Sequence, residues 1–348
     1  MNQVYCTLYN SNYLDKGLVL YDSLCECAKD FKLYVLCMDD KCYEVLIDLR
    51  QDRLIPIRLS DFETCNDEQL IKVKQNRTFG EYCWTCTPSL ILYVIEKFKE
   101  SVCTYIDADM YFYHDPQILI DEMDEEGKTV MVTPHRFSDD NINSEVNGIY
   151  CVEFNTFVKE TNSLELLKKW RQDCFDCCTS INDGVHFGDQ KYLDNWPNDY
   201  SEFVHVCQNV GAGIAPWNIE RYRGDSQNCF SVYYNNTPLL HPIIFYHFQH
   251  MTYIDRNNVK TSILSGKDNV DYDLLKRLYT DYLYKIERKK RMLESTYDIS
   301  YLMTKHPAVK TVYNWKTWLL QFGIVRYFYN YYRPAKNQYV VSIPYFFN

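Results

Sequence analysis

The chain has 348 residues, of which 46% are hydrophobic and 16% aromatic, and this composition excludes a disordered or fibrous protein. Its 37 basic and 47 acidic residues give a net charge of -10, which argues against nucleic acid as a partner because phosphate-binding surfaces are positively charged. The fifteen cysteines are odd in number and lie mostly in apolar segments, which disfavours a disulfide framework and favours a reduced, cytoplasmic compartment.

The beginning of the sequence resembles a strand and not a targeting segment. Its first six residues lack the charged start and apolar core of a signal peptide. No apolar run in the chain approaches the roughly 18 residues that a membrane-spanning helix needs. We therefore expect a cytoplasmic protein without a membrane span.

The first half of the chain alternates short apolar segments with amphipathic ones, which is typical of strand-helix-strand units in a mostly parallel sheet. Helices are predicted at residues 15–27 and 88–98. Strands are predicted at residues 4–9, 33–38, 54–59, 102–106 and 130–133. The pattern predicts an α/β fold built on an open sheet.

The second half begins with a predicted helix that Asn162 can cap, with Glu165 in its first turn. Glycines and prolines interrupt residues 180–220, so a loop-rich region is predicted there. After about residue 260, apolar side chains recur at helical spacing. They are Leu275, Leu278, Tyr282 and Ile286. We divide the chain into an α/β domain, residues 1–258, and a helical C-terminal extension, residues 259–348.

Two aspartates, Asp107 and Asp109, directly follow the strand predicted at residues 102–106. Ligands of open α/β sheets bind beyond the carboxyl ends of the strands, and the small Ala108 allows both carboxylates to converge there. An isolated Asp-x-Asp is more often a solvated turn. Here the flanking sequence is apolar, and two buried carboxylates repel each other without a cation. Because carboxylate and diphosphate oxygens suit Mg²⁺ or Mn²⁺, a divalent metal site is predicted.

A histidine can complete this site. The strand-like segment at residues 242–250 contains His247 and His250. A lone histidine in such a strand is usually a packed core residue, but imidazole is a suitable Mn²⁺ ligand beside carboxylates. His247 is our choice for the third ligand, and His250 is the competing one.

Four segments stand in an order and at separations typical of one protein family: TLYNS at 7–11, YIDAD at 105–109, FGDQKYL at 187–193 and YH at 246–247. In these segments, the chain resembles the GT-A class of nucleotide-sugar glycosyltransferases. It is most similar to the retaining type represented by glycogenin and the bacterial lipooligosaccharide galactosyltransferases. The resemblance covers about residues 1–255 and implies a Rossmann-like open mixed sheet flanked by helices.

The resemblance also implies roles for particular residues. Asp107, Asp109 and His247 would bind Mn²⁺ or Mg²⁺, and Asp189 and Gln190 would lie near the reacting sugar carbon. The donor-site candidates are Tyr9, Asn10, Tyr13, Arg77, Asp107 and Ala108, with Lys74 as the alternative to Arg77. The acceptor-site candidates are Asn147, Gly148 and Trp217.

The chain departs from the family pattern in two segments. The family usually has Asn-Ala-Gly after its fifth strand, whereas this chain has NGIYCVE at 147–153. The Gly-x-x-Lys-Pro-Trp that commonly follows the late histidine is replaced by FQHMT at 248–252, and Arg256 is the candidate cation for the diphosphate in its place.

The two aspartates and the histidine predict metal dependence, and the resemblance implies the reaction, which is transfer of a hexose or N-acetylhexosamine from a UDP-sugar. The resemblance also implies a glycan or lipid-linked glycan as acceptor and synthesis of a bacterial surface polysaccharide as the setting. In a retaining reaction the leaving phosphate takes the acceptor proton, and Gln190 steadies the sugar ring. The alternatives are an inverting transferase with Asp189 as base, and a non-catalytic protein of the same fold that binds sugar nucleotides or glycans.

Two further segments have alternative interpretations. Residues 311–348 mix aromatic and basic side chains, which suits a helix in peripheral contact with an anionic membrane surface, or a helix docked on the α/β domain. Cys83 and Cys86, with Cys174 and Cys177, have spacings known from zinc sites. Because Cys174 lies on an apolar helix face, we interpret these cysteines as small hydrophobic residues.

Overall fold

The computed structural model describes residues 3–65, 67–254, 258–299 and 338–342. The strands in these ranges are β1 (Gln3–Tyr9), β2 (Phe31–Cys37), β3 (Leu54–Arg58), β4 (Val102–Ile106), β5 (Met110–Phe112), β6 (Val130–Pro134), β7 (Tyr150–Val158), β8 (Val204–Val206), β9 (Tyr222–Gly224), β10 (Ser231–Tyr234), β11 (Leu240–Pro242), β12 (Phe245–His247), β13 (Thr252–Tyr253), β14 (Asn258–Leu264) and β15 (Gln338–Ser342). The α-helices are α1 (Leu14–Cys27), α2 (Asp40–Leu49), α3 (Leu59–Cys65), α4 (Asp67–Lys74), α5 (Phe79–Lys97), α6 (Gln117–Glu125), α7 (Thr161–Asp176), α8 (Trp196–Asp199) and α9 (Tyr272–Tyr297).

The principal sheet has seven strands in the order β3-β2-β1-β4-β7-β6-β8. Its strands are parallel except β7, which runs antiparallel to both β4 and β6. The strand order reverses between β1 and β4, and ligands of open α/β sheets bind outside the carboxyl ends at such a reversal. The predicted fold class, an open mixed sheet flanked by helices, is confirmed.

Helices cover both faces of this sheet. Every residue of β1 and β4 is buried, which explains why both strands are mainly apolar. Alternate β1 residues face opposite sides. Val4, Cys6 and Leu8 pack with α5 and α7, whereas Tyr5 and Tyr9 pack with α1 and α2. The two apolar layers hold the carboxyl ends of β1 and β4 in fixed positions.

Two helix starts differ from their predicted positions. Helix α5 begins at Phe79, well before Pro88, because the Thr78 and Glu81 side chains form a capping box with each other's backbone N–H groups. Helix α7 begins after Glu160, so Asn162 lies inside its first turn and does not cap it. Both helices were predicted correctly in kind, and only their first residues differ.

Helix α9 confirms the apolar face predicted from Leu275, Leu278, Tyr282 and Ile286, all of which are buried. It packs on α1, and the ring of Tyr282 stacks on Phe248 at 3.7 Å between centroids. The described part of α9 is thus docked directly on the α/β domain.

Most of the segment 311–348, predicted as a helix, lies outside the described residues. Its described part, Gln338–Ser342, is strand β15, which pairs antiparallel with β14, so the helix prediction is wrong for these five positions. The sequence QYVVS contains the aromatic and β-branched residues that strands favour. Among the helices of the described ranges, none is both long and apolar enough to cross a membrane.

The fifteen cysteines are free thiols. Cys86 on α5 and Cys174 on α7 are fully buried within one apolar cluster. Burial raises the pKa of both thiols well above the usual range, so they remain neutral. These two cysteines pack as small hydrophobic residues in the layer between α5 and α7.

His205 on β8 connects the edge of the principal sheet to α6. Its ring nitrogens lie 2.7 Å from Glu122 Oε1 and 2.9 Å from Glu126 Oε2, and its side chain is 2% exposed. Burial alone would lower the pKa of His205, but its bonds to the two carboxylates raise it overall. The folded state therefore favours the imidazolium form.

We expect His205→Gln to lower the free energy of unfolding by roughly 1–3 kcal/mol at pH 6 and by less at pH 9. A raised histidine pKa contributes stability that is full below the unfolded-state pKa of about 6.5 and is lost as the pH rises through the folded-state pKa. Urea unfolding at both pH values measures the effect, with His241→Gln as the control. An equal loss at both pH values would contradict the prediction.

Candidate active site

The backbone positions Asp107 and Asp109 at the carboxyl end of β4. The Asp107 N–H donates to the carbonyl of Glu153 on β7 at 3.3 Å, which holds the chain where β4 ends. The Phe248 N–H donates to the Asp109 carbonyl at 2.9 Å, and β12 pairs antiparallel with β5. Consequently His247, the last residue of β12, lies beside the two aspartates.

The side chains of this cluster form one connected set around the imidazole. His247 Nε2 is 3.0 Å from Asp109 Oδ1 and 3.7 Å from Asp107 Oδ2. On the other side of the ring, Nδ1 is 2.7 Å from Glu153 Oε2. The side chains of His247 and Glu153 are 4% and 0% exposed, whereas those of Asp109 and Asp107 are 15% and 31% exposed. The aspartates form the open side of the cluster, and Glu153 forms its closed side.

The charges in the cluster shift one another's pKa values. Burial raises the pKa of Asp107 to about 6; the charge of His247 opposes this rise and that of Asp109 adds to it. Burial would also raise the pKa of Asp109, but the charge and hydrogen bond of His247 and the charge of Lys16 lower it overall. Burial would lower the pKa of His247, yet the charge and hydrogen bond of Asp109 raise it well above the usual range.

The donor set fits a hard divalent cation. Three carboxylates lie around the His247 ring, so the cluster is negatively charged even when the ring carries a second proton, and a divalent cation that replaced the proton on Nε2 would neutralise this charge. Adjacent donors around a six-coordinate Mg²⁺ lie about 3 Å apart, which resembles the 3.0 Å between His247 Nε2 and Asp109 Oδ1. Asp107, Asp109 and His247 would hold such a cation on the open side.

A second group of potential ligands shares the same histidine. One ligand atom from each of Cys151, Glu153 and His247 lies within 4.8 Å of the others, and all three residues are buried. This group lies on the closed side of the imidazole ring.

Asp189 and Gln190 lie near the acid pair and beside one predicted acceptor loop. Asp189 is 4% exposed, and burial together with the charge of Asp107 raises its pKa to about 7. The Gln190 amide nitrogen donates to the Asn147 carbonyl at 2.8 Å. Gly148 has a φ of 134°, and a Cβ there would lie 3.2 Å from Gln190 Cγ, so glycine permits this approach. The structure therefore brings Asn147, Gly148 and Gln190 together.

The donor-site candidates near β1 lie at the strand-order reversal. The ring of Tyr9 packs on Gly17, where a Cβ would come within 2.3 Å of the ring. Asn10 Oδ1 accepts from the Asn12 N–H at 3.1 Å, which caps the short turn that follows β1. Burial and the charge of Asp109 raise the pKa of Tyr13, which places this phenol near the aspartates.

Arg77 contacts a different element. Its guanidinium donates to the carbonyls of Cys174 and Phe175 at 3.4 and 3.2 Å, at the C-terminal end of α7. A cation is favourable there because the last carbonyls of a helix lack intrahelical partners. Its predicted contact with a donor stays a prediction.

Trp217 packs against the candidate metal site. Its ring meets His247 nearly perpendicularly, at 5.4 Å between centroids, and its indole N–H donates to the His135 carbonyl at 2.9 Å. Asn218 ties the same loop to His135 and Gly213 through its amide group. Trp217 therefore supports one face of the imidazole, and its predicted acceptor contact stays a prediction.

Sequence reasoning overlooked two residues in this region, Glu153 and Lys16. Glu153 is a charged residue within the apolar strand β7, and that contrast was the available signal. Lys16 on α1 lies 4.2 Å from the centroid of the Tyr13 ring, and its side chain is 12% exposed. Lysines are common in helices, so the presence of Lys16 in the helix after the first strand gives little sign of a functional role.

The fold and the site define an α/β protein with an open mixed sheet and a cluster of carboxylates and one imidazole at the strand-order reversal. The chain belongs to the family of the uncharacterized protein YfnD of Bacillus subtilis, with 32% identity over 293 residues that cover 82% of this chain and 88% of YfnD. The uncharacterized protein YfnF of the same organism is 27% identical over 308 residues, or 86% of this chain and 97% of YfnF. No protein-family model matches the chain.

Two solved structures to which the chain is similar are both named as sugar transferases. Mouse xyloside xylosyltransferase 1 is 12% identical, with 72% of this chain and 98% of that chain covered and a TM-score of 0.46. The galactosyltransferase LgtC, solved in complex with donor and acceptor sugar analogues, is 14% identical, with 70% and 86% covered and a TM-score of 0.43.

Proposed function

We propose that this protein is a metal-dependent glycosyltransferase that moves a hexose or N-acetylhexosamine from a UDP-sugar to a glycan. The observation that carries the proposal is the convergence of Asp107, Asp109 and His247 at the end of β4, where the strand order reverses. A cation at this position could be coordinated both by these side chains and by the phosphate oxygens of a bound ligand.

Sugar transfer separates charge, because a nucleoside diphosphate leaves while the sugar ring becomes oxocarbenium-like. The cation, when bound, supplies Lewis acidity toward the departing diphosphate. Lys16 offers a further positive charge near Asp109. Tyr9, Asn10 and Tyr13, at the end of β1, form the wall on which the nucleobase rests in this proposal.

The reaction retains the anomeric configuration in this proposal. The leaving phosphate takes the acceptor proton, and Gln190 steadies the sugar ring from the opposite face. The hydrogen bond from Gln190 to the Asn147 carbonyl supports this role because it fixes the plane of the amide.

One observation favours the inverting alternative. The pKa of Asp189 is raised to about 7, and a general base works best when its pKa lies near the operating pH. NMR of the product distinguishes the two: an inverted anomeric centre assigns Asp189 as base, and a retained one assigns the supporting role to Gln190.

The acceptor side of the proposal concerns the loops around Gln190. Exposed apolar side chains extend from them: Val146 at 61%, Ile149 at 42%, Ile181 at 57% and Val185 at 68%. Exposed apolar residues grouped near a candidate site are a feature of binding surfaces. They support a lipid-linked glycan as the acceptor, with Trp217 as a contact, in synthesis of a bacterial surface polysaccharide.

The proposal places the enzyme in the cytoplasm, with residues 1–258 as the transferase domain and 259–348 as the extension. In this proposal the enzyme also binds peripherally to an anionic membrane surface through residues 311–348. Flotation of the full chain on vesicles containing anionic lipid, against a chain ending at Thr304, tests that contact. Equal flotation of the two would contradict it.

A screen of nucleotide sugars, read as release of nucleoside diphosphate, tests the activity. We expect release from one UDP-sugar, dependent on Mn²⁺ or Mg²⁺ and faster when acceptor is present. Binding of the sugar nucleotide without any release would contradict the transferase and favour a binding protein of the same fold. Equal release with and without metal would contradict the metal dependence alone.

A further inference from the structure

Glu153 is a fully buried carboxylate in β7, directly behind the proposed metal ligands. Its Oε2 lies 2.7 Å from His247 Nδ1, and no donor within the described ranges reaches its Oε1. Gly213 closes the space above it, with a φ of 74°, and a Cβ at that position would lie 3.0 Å from Oε1. Burial of a charged group is costly unless the group is paired, and the contact with His247 Nδ1 is the pairing that this structure shows for Glu153.

We propose that Glu153 is a positioning residue that fixes His247 as the third ligand of the acid pair and so raises the affinity for a divalent cation. This inference rests on the proposed function. A carboxylate beside Nδ1 holds the ring proton on that nitrogen and leaves the Nε2 lone pair for the cation. Nε2 is the nitrogen that faces Asp109 and Asp107.

The backbone supports the same arrangement. The Asp107 N–H donates to the backbone carbonyl of Glu153, and the Glu153 side chain contacts His247. One residue of β7 therefore positions both an aspartate and the histidine. Trp217 packs nearly perpendicularly to the imidazole, which limits its rotation from a second direction. Orientation of His247 is therefore determined before any cation arrives.

The competing arrangement places a cation between Cys151, Glu153 and His247 Nδ1. These side chains are almost fully enclosed, whereas Asp107 is 31% exposed. A diphosphate could not reach a cation on the enclosed side, and Nδ1 already bonds to Glu153 directly. We therefore assign the cation to the open side and treat Cys151 as a neighbour that does not bind it.

Mn²⁺ binding by the isolated full-length protein, measured as loss of the free-ion EPR signal, tests the inference without any sugar nucleotide. Glu153→Gln has nearly the same shape but no charge, and we expect it to weaken Mn²⁺ binding by about 10–100-fold. Cys151→Ala is the matched control and should bind Mn²⁺ as the parent does. Unchanged binding in Glu153→Gln, or loss of binding in Cys151→Ala, would overturn the inference.

A second measurement uses the unmodified protein, so it does not depend on folding of a variant. In the Mg²⁺-loaded protein, ¹⁵N NMR of the His247 ring should show the proton on Nδ1, and a proton on Nε2 would overturn the inference. Failure of the proposed function is recognised separately, as a parent that releases no nucleoside diphosphate from any sugar nucleotide even though it binds Mn²⁺.

Discussion

Replacement of Asp107 or Asp109 by alanine should abolish sugar transfer and divalent-metal binding together. The two carboxylates form the open side of the cluster, and without either one His247 lacks a partner that can share a cation with a diphosphate. Loss of one group that stabilises charge in a transition state typically costs about 10²–10³-fold in rate. We expect at least this loss in nucleoside diphosphate release at saturating Mn²⁺.

Two controls separate this effect from unfolding. Asp52→Ala, at an exposed position, should leave activity and metal binding unchanged. Because burial raises the pKa of Asp107 to about 6, the folded state disfavours its charge, and metal-free Asp107→Ala should unfold at no lower urea concentration than the parent at pH 7.5. Near-normal transfer in either aspartate variant would exclude the site.

Asp189→Asn should stabilise the protein while it reduces transfer. Burial and the charge of Asp107 raise the pKa of Asp189 to about 7. Between about pH 4 and 7 the folded state holds a proton that the unfolded chain has lost, so the free energy of unfolding decreases as the pH rises through this interval. Asparagine removes this decrease, and we expect a gain of about 1–4 kcal/mol at pH 8 and a smaller one at pH 5.

Urea unfolding at pH 5 and pH 8 measures the stability effect. Asp199→Asn, an exposed change of the same type, should alter neither stability nor activity. Activity decides the role of the carboxylate: transfer should stop if Asp189 is the base of an inverting reaction and should persist at a reduced rate in a retaining one. Lower stability of Asp189→Asn at pH 8 would contradict the assignment of an unfavourable buried charge.

The sequence was sufficient wherever a local pattern determines the structure. Strand β4 is a short, mainly apolar segment, and Asp107 directly after it marks its carboxyl end. The face of α9 was predicted from helical spacing alone. Burial of both faces of β4, and of one face of α9, determines which of the neighbouring residues are apolar, so the pattern can be recognised within a few residues.

The remaining features depend on contacts between distant segments. The partner of Glu153 is a histidine far along the chain, and the carbonyls that Arg77 meets belong to α7. Strand β15 has a local strand pattern, but nothing in the basic, aromatic tail around it indicates that its partner is β14. Such pairings are set by tertiary packing and are not visible in spacing or composition.

The pairing of β12 with β5 has a consequence for the order of folding. His247 and Asp109 are 138 positions apart, so the cluster forms only after a very long loop has closed. Contacts of high sequence separation form late because the entropy of loop closure must first be overcome. A nascent chain that ends soon after β7 already contains both aspartates and Glu153 but lacks His247. If the proposed metal site is correct, such a truncated chain would lack the third ligand, and cation binding would report that β12 has paired with β5.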